Sequence, residues 1–266
     1  MMGEALYLTM FTVISIMSAY IYLRRQNLGE LAITTQDVAY DKEQYGSILN
    51  YDRHCFYIDG KPIIIISGEF HYWRLPDKSR WEHILRLYKA AGLNCIRIYF
   101  HWGFHSRDEG IYNWDGPRDV GYLMSLCEKL ELFVMAAPGP YICAETQAGG
   151  LPIWLASKRS VRLRHSYNSF FRLYDDEYSK YCREWYSNLI PHLREHQITY
   201  KRGGCLIAFQ IENEAFEKIK GIPLGLADDM RNLCKVARDM GITVPLFTND
   251  AWEEGSFVVF LLLNSP

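Results

Sequence analysis

What this sequence lacks narrows its function first. It has no excess of basic residues: 29 Lys plus Arg stand against 31 Asp plus Glu, a formal charge of -2. A nucleic-acid backbone, which is bound by neutralising its phosphates, finds no electrostatic partner here. The seven cysteines contain no Cys-x-x-Cys pair and are scattered at Cys55, Cys95, Cys127, Cys143, Cys182, Cys205 and Cys234. A zinc ribbon or a dense disulfide framework is therefore not expected. Cys95, Cys127, Cys205 and Cys234 fall inside apolar runs, as small buried hydrophobes do. Neither G-x-G-x-x-G nor G-x-x-x-x-G-K-[ST] occurs, which moves nucleotide binding well down the list. No N-x-S/T sequon supports a secretory route. Low-complexity bias is absent too: 49% hydrophobic and 23% charged residues are globular usage.

Aromatic residues are abundant, at 15%. Most such rings pack cores, and the surplus points weakly to a site that stacks rings on a ligand such as a sugar. Residues 1–30 differ in character from the rest. Ala5 to Leu23 is almost wholly apolar and is closed by Arg24 and Arg25, close to the about 20 residues that cross a bilayer. Glu4 precedes the run and the arginines follow it. That order is the reverse of a signal peptide's, and the positive-inside rule would leave the following domain cytosolic. The segment is read as membrane-targeting, either anchor or signal. It implies a membrane-anchored or a secretory and extracellular location, with the orientation open. Residues 50–256 read as one domain, and residues 257–266, FVVFLLLNSP, as an atypical apolar tail.

From residue 50 onward strands and helices alternate. Ile63–Ile66 is a short β-branched apolar run, expected as a strand buried on both faces. Trp81, Ile84, Leu85 and Tyr88 mark an amphipathic helix ended by Gly92. Strand Cys95–Phe100, a helix through Val120, Leu123, Met124 and Cys127, and strand Leu132–Ala137 follow. A long aromatic helix from about Phe170 to His196, broken at Pro191, leads to strand Leu206–Ile211. A helix through Met230, Leu233, Cys234 and Ala237 then leads to strand Val244–Phe247. This repetition predicts βαβ units on a parallel sheet. Polar clusters fall at the strands' C-terminal ends: Glu69; Tyr99 with His101; Gly139-Pro140-Tyr141 with Glu145; Glu212-Asn213-Glu214; Asn249. A (β/α)8 TIM barrel builds its active site there, and an open doubly wound sheet would also place ligands there.

The sharpest feature is Gln210-Ile211-Glu212-Asn213-Glu214, entered from an apolar strand. Strand alternation would turn Gln210, Glu212 and Glu214 to one side while the strand lasts. Close carboxylates raise one another's pKa, which keeps one protonated as a general acid.

GGCLIAFQIENEAF (Gly203 to Phe216) resembles the signature of the family 35 glycoside hydrolases, retaining β-galactosidases. GEFHYWRLP (Gly68 to Pro76), AGLNCIRIYFHW (Ala91 to Trp102), PGPYICAE (Pro138 to Glu145) and GGLPIWL (Gly149 to Leu155) resemble other blocks of that family, in the same order. The resemblance implies a (β/α)8 barrel of which about five βα units are present. It implies hydrolysis of terminal β-galactosides, with Glu214 as general acid/base and Asn213 on the sugar 2-hydroxyl. Tyr99, Ala144 (through its backbone) and Glu145 would line the galactose subsite, with Glu212 and Glu69 as supporting charges. A galactoside or oligosaccharide is the implied partner, and no cofactor is implied. The chain departs from the family pattern at Trp102-Gly103-Phe104-His105-Ser106-Arg107, at Thr146-Gln147-Ala148 and at Ala215, which bears on sugar preference more than on reaction type.

His192-Leu193-Arg194-Glu195-His196 matches the inverted zinc motif H-x-x-E-H. It closes a helix leading into a strand, away from the polar clusters, so no metal site is expected. His101 and His105, also four apart, are expected on a strand-to-loop segment that keeps them separate. A retaining glycosidase needs a second carboxylate about 5–5.5 Å from the acid/base, which the family takes from strand seven. Glu253 and Glu254 follow strand five and do not match that position. The chain therefore reads as truncated, its last ten residues as an unrelated read-through. The alternative functional readings are a catalytically inactive remnant, a galactoside-binding pseudoenzyme and, more remotely, a zinc peptidase.

Overall fold

The alternation read from residue 50 onward is built as five parallel strands with helices between them. The structure is a computed structural model that describes residues 39–52, 54–164, 176–215 and 226–249, with two-residue strands at 167–168, 173–174, 218–219 and 222–223. The chain divides between Thr34 and Thr35, and every described residue belongs to the second part. The apolar run 5–23, the tail 257–266 and the pair Glu253 and Glu254 lie outside the described residues. Among the described residues no helix is long and apolar enough to cross a membrane.

The strands are β1 (Ser67–Glu69), β2 (Cys95–Tyr99), β3 (Phe133–Ala137), β4 (Leu206–Gln210) and β5 (Leu246–Phe247). They pair in chain order and all in parallel. A doubly wound sheet would reverse its strand order part-way. An unbroken progression with a crossover at every step is barrel topology, five units of a (β/α)8 design. The crossovers carry α1 (Trp81–Ala90), α2 (Val120–Lys129), α3 (Asp176–Leu189) and α4 (Leu226–Asp239). A short antiparallel meander, Leu49–Tyr51, Phe56–Ile58 and Lys61–Ile63, precedes the barrel.

The periodicities explain the packing. Val120, Leu123, Met124 and Cys127 are all fully buried on one face of α2, and Asp119 caps that helix by accepting from Tyr122 N–H at 3.0 Å. Trp81 and Leu85 anchor α1 in the core, and Gly92, at φ 91, ends it in the left-handed region that glycine enters freely. Pro191 ends α3 as expected: helix gives way to a tighter turn over Ile190–His192.

Three expectations need correction. Ile63–Ile66 is not the first barrel strand. Ile63 ends the meander, Ile64 and Ile66 are 79% and 53% exposed, and β1 is Ser67–Glu69. The Asn94 side chain donates to the Ile64 carbonyl at 2.7 Å and accepts from Ile66 N–H at 2.9 Å, so a side-chain amide holds the backbone up to Ile66, whose carbonyl then accepts from Cys95 N–H at 3.3 Å. The long helix begins at Asp176, after a Tyr167–Asn168/Leu173–Tyr174 hairpin, not at Phe170. Strand five is only Leu246–Phe247: the Pro245 carbonyl still accepts from Phe209 N–H at 2.9 Å, but proline has no N–H to donate to the ladder.

Candidate active site

The site starts inside the sheet. Strand period places Cys95, Arg97 and Tyr99 on one face of β2 and Ile96 and Ile98 on the other. Arg97 lies 4.6 Å from the Tyr99 ring centroid, reaches Glu69 on β1 at 3.3 Å, and donates to Gln210 Oε1 on β4. An arginine in the middle of an apolar strand is costly to desolvate unless paired. Here it ties three strands together beneath the strand ends.

Above that layer the polar ends converge on one side chain. The Asn213 amide oxygen accepts from Tyr99 Oη–H at 3.2 Å, Gln210 Nε2 at 3.3 Å and Asn249 Nδ2 at 2.9 Å. Strands β2, β4 and the end of β5 thus orient a single buried amide. Asn249 Oδ1 in turn accepts from Glu214 N–H at 3.2 Å, which fixes the backbone from which Glu214 projects. Glu214 itself is exposed. Its carboxylate raises the phenols of both Tyr99 and Tyr141 as a lesser contribution, while burial is the main cause and pushes Tyr99 up to about 12.

Strand alternation does not persist past Gln210. Glu212 and Glu214 have φ of 58° and 50°, left-handed conformations that a glutamate holds only when its surroundings impose them. The two turns send Glu212 inward and Glu214 outward. Glu212 is 6% exposed and its carboxylate accepts from Arg164 Nη2 at 2.7 Å, Asn213 N–H at 2.8 Å and Tyr141 N–H at 3.3 Å. Burial raises its pKa, against the opposing pull of Arg164 and the two amides. The coupling expected from Glu214 is not the cause: the acid is lifted by desolvation, and the two carboxylates point apart.

The loop after β3 supplies the other wall. Gly139 O accepts from Tyr186 Oη–H at 2.7 Å and from Glu212 N–H at 2.9 Å, so α3 and the β4 end hold one carbonyl. Cys143, Ala144 and Glu145 follow with φ of 55°, 48° and 44°. Three successive left-handed residues are strained, and such strain is concentrated at functional loops. Ala144 packs in a small apolar cluster with Tyr99, Ala137 and Ile142, against which Trp73 lies. Its carbonyl accepts from Arg74 Nη2 at 2.6 Å, and Glu145 is exposed.

Five residues named from sequence therefore occupy the same end of the sheet. Tyr99, Asn213 and Glu214 are linked directly or through Asn249, Ala144 packs against Tyr99, and Glu145 follows on the rim. A scan against family models matches residues 55–230 to "Glycosyl hydrolases family 35". The chain belongs to that family. It is similar to the β-galactosidase of Bos taurus, 40% identical over 208 residues that make up 77% of this chain and 29% of that protein. Against the β-galactosidase of Mus musculus it is 42% identical over 166 residues, 62% of this chain and 24% of the other. The chain thus spans less than a third of the length of these curated relatives. Among solved structures it resembles an exo-β-1,4-mannosidase, Op5Man5 from Opitutaceae bacterium strain TAV5, with a TM-score of 0.54 at 13% identity. That match covers 77% of this chain and 34% of the other, and likeness at such low identity concerns the fold alone.

Sequence reasoning missed two arginines of this candidate site. Arg97 carried a signal, a cation within Cys95–Tyr99. Arg164 carried none: it stands in a basic loop after Val161, and only folding brings it to Glu212, to the Asn213 carbonyl at 2.7 Å and over the Tyr141 ring at 3.9 Å. The histidine pair is also partly revised. Residues Trp102–His105 form a helical turn instead of a loop. His101 still faces Thr146 at 3.0 Å while His105 faces Tyr72 at 2.6 Å, so the two do not converge.

Proposed function

We propose that this chain carries part of the active site of a retaining glycoside hydrolase for terminal β-galactosides, with Glu214 as general acid/base. The observation that carries the reading is the Asn213–Glu214 pair at the end of β4, its amide oriented from three strands and its carboxyl facing solvent. A rigid strand end supplies the positioning that glycosyl transfer needs. In the first step Glu214 would protonate the leaving oxygen; in the second it would take a proton from water. Asn213 has its amide oxygen filled from below, which leaves its amide nitrogen to meet a sugar hydroxyl. Tyr99, Ala144 and Glu145 would bound the galactose subsite.

Double displacement also needs a nucleophile. Glu212 is committed to Arg164 and two backbone amides, and Glu69 to Arg97. Neither is free to attack, so the second carboxylate would come from outside the five barrel strands. That observation favours a second reading, galactoside binding without turnover. The apolar run at 5–23 supports a membrane-targeting role for the N-terminal segment.

Two assays on the full chain separate the readings: release of nitrophenol from a nitrophenyl β-galactoside, and galactose binding by calorimetry. Turnover that Glu214→Gln abolishes and added azide restores would establish the hydrolase. Binding without turnover would establish the second reading. Turnover unchanged in Glu214→Gln would overturn the assignment of Glu214.

A further inference from the structure

The two histidines of the H-x-x-E-H segment part company in the fold. His192 lies against Trp114, ring centroids 4.3 Å apart. His196 turns the other way, and its Nδ1 stands 2.7 Å from Glu128 Oε1 in the last turn of α2. Cys205, the residue before β4, completes a group in which one ring nitrogen, one carboxylate oxygen and the thiol sulfur all lie within 4.8 Å of one another. The three ligands come from three elements at the N-terminal end of the parallel sheet, the end opposite Glu214. The sugar site therefore does not account for them.

The chemistry of the set is specific. Nitrogen, oxygen and sulfur together suit a borderline d-block ion, while calcium and magnesium take oxygen alone. Ligand atoms around tetrahedral zinc stand about 3.3–3.7 Å apart, from metal–ligand bonds of about 2.0–2.3 Å. Closing the present spacing to that range takes shifts of roughly 1 Å at side-chain ends. Cys205 is 3% exposed, whereas the side chains of Glu128 and His196 are 19% and 15% exposed. The pocket thus has a dry sulfur at its floor and an entry past the other two. Lys201 holds the same carboxylate at 2.8 Å, which accounts for the charge of Glu128 but gives the thiol no role. Among the described residues the thiol otherwise makes only a 3.6 Å contact with the Met124 carbonyl.

We propose that Glu128, His196 and Cys205 bind one zinc-class divalent ion, with water as the fourth ligand. On binding, the thiol proton leaves to solvent, the His196 ring gives up its Nδ1 proton and takes one at Nε2 so that it stays neutral, and the His196–Glu128 hydrogen bond is replaced by two metal bonds. The ion would staple the end of α2, the turn after α3 and the start of β4. This departs from the sequence expectation of no metal and is independent of the glycosidase reading.

Cobalt(II) titrated into the reduced, chelator-treated full chain is the test. The expected result is one equivalent bound with a sulfur-to-cobalt charge-transfer band. Cys205→Ser should remove the band, and Glu128→Gln should weaken binding at least about tenfold. His192→Gln and Cys55→Ser should leave both unchanged. If Cys205→Ser fails to fold, Glu128→Gln and His196→Gln decide the matter by affinity alone. No saturable binding, or a band that survives Cys205→Ser, overturns the proposal.

Discussion

Arg164 and Glu212 show how one pair can hold a site's backbone in place, since both bond to Asn213. Glu212 is buried and bridges the Tyr141 and Asn213 amides, and Arg164 is the cation that opposes the rise burial imposes on its pKa. Removing one partner of a buried pair costs roughly 3–5 kcal/mol, and Arg164 is a quarter exposed, so Arg164→Gln should fall near the lower end. Because burial raises the Glu212 pKa, the acid is protonated at low pH and needs no partner there. The deficit should therefore grow as pH rises through the Glu212 pKa. Urea midpoints at two pH values check the sign. Adding Glu212→Gln should return part of the loss by removing the orphaned charge, and a double variant no better than the single would show that the pair is not coupled. Little of this was legible beforehand. Glu212 stood out because it sits between Gln210 and Glu214, but its partner lies 48 residues earlier, in a loop without periodicity.

At the level of elements, two glycines separate helix propensity from loop geometry. Gly121 lies in α2, where an added Cβ meets nothing closer than Asp119 Oδ1 at 3.9 Å. Gly121→Ala should stabilise by about 0.4–1 kcal/mol through the unfolded chain's lost freedom. Gly149 has φ 59, and a Cβ there would stand 1.9 Å from the Tyr141 ring. Gly149→Ala should cost about 1–3 kcal/mol or more, and it should displace the ring on which Arg164 rests. Opposite shifts in unfolding midpoint are the expected outcome; equal shifts would refute the argument. The helices and central strands were readable because their apolar period runs for many residues. The ends were not. Ile63–Ile66 carries the composition of a buried strand, yet a neighbouring asparagine holds its backbone. The alternation from Gln210 onward stops where two glutamates adopt left-handed backbone.

The molecule as a whole should respond to acid through a buried histidine. His105 is held at Nδ1 by the Asn113 carbonyl, which only accepts, so Nδ1 carries the proton. Nε2 then accepts from the Tyr72 hydroxyl at 2.6 Å. The neutral ring is satisfied on both sides, and burial pushes its pKa down to about 3. A depressed pKa contributes stability that is present above the unfolded value, about 6.5, and is lost as pH falls toward the folded value. Between about pH 7.5 and 4.5 the loss from His105 is on the order of 3 kcal/mol. His101, lowered to about 4 by burial, adds to it. His105→Phe should flatten the dependence of unfolding free energy on pH, whatever its effect on absolute stability; an unchanged slope would contradict it.

The unit order, the parallel sheet, the family and the residue types at the strand ends could all be read from this chain unfolded. They rest on local period and on motifs that are contiguous in sequence. Folding alone established which side chains meet: the Asn213 amide among Tyr99, Gln210 and Asn249, Arg164 on Glu212, and His196 with Cys205 in place of His192. Most of those contacts join residues dozens of positions apart, and all of them meet through strand ends and loop turns, whose geometry depends on packing and strained backbone that no local pattern encodes.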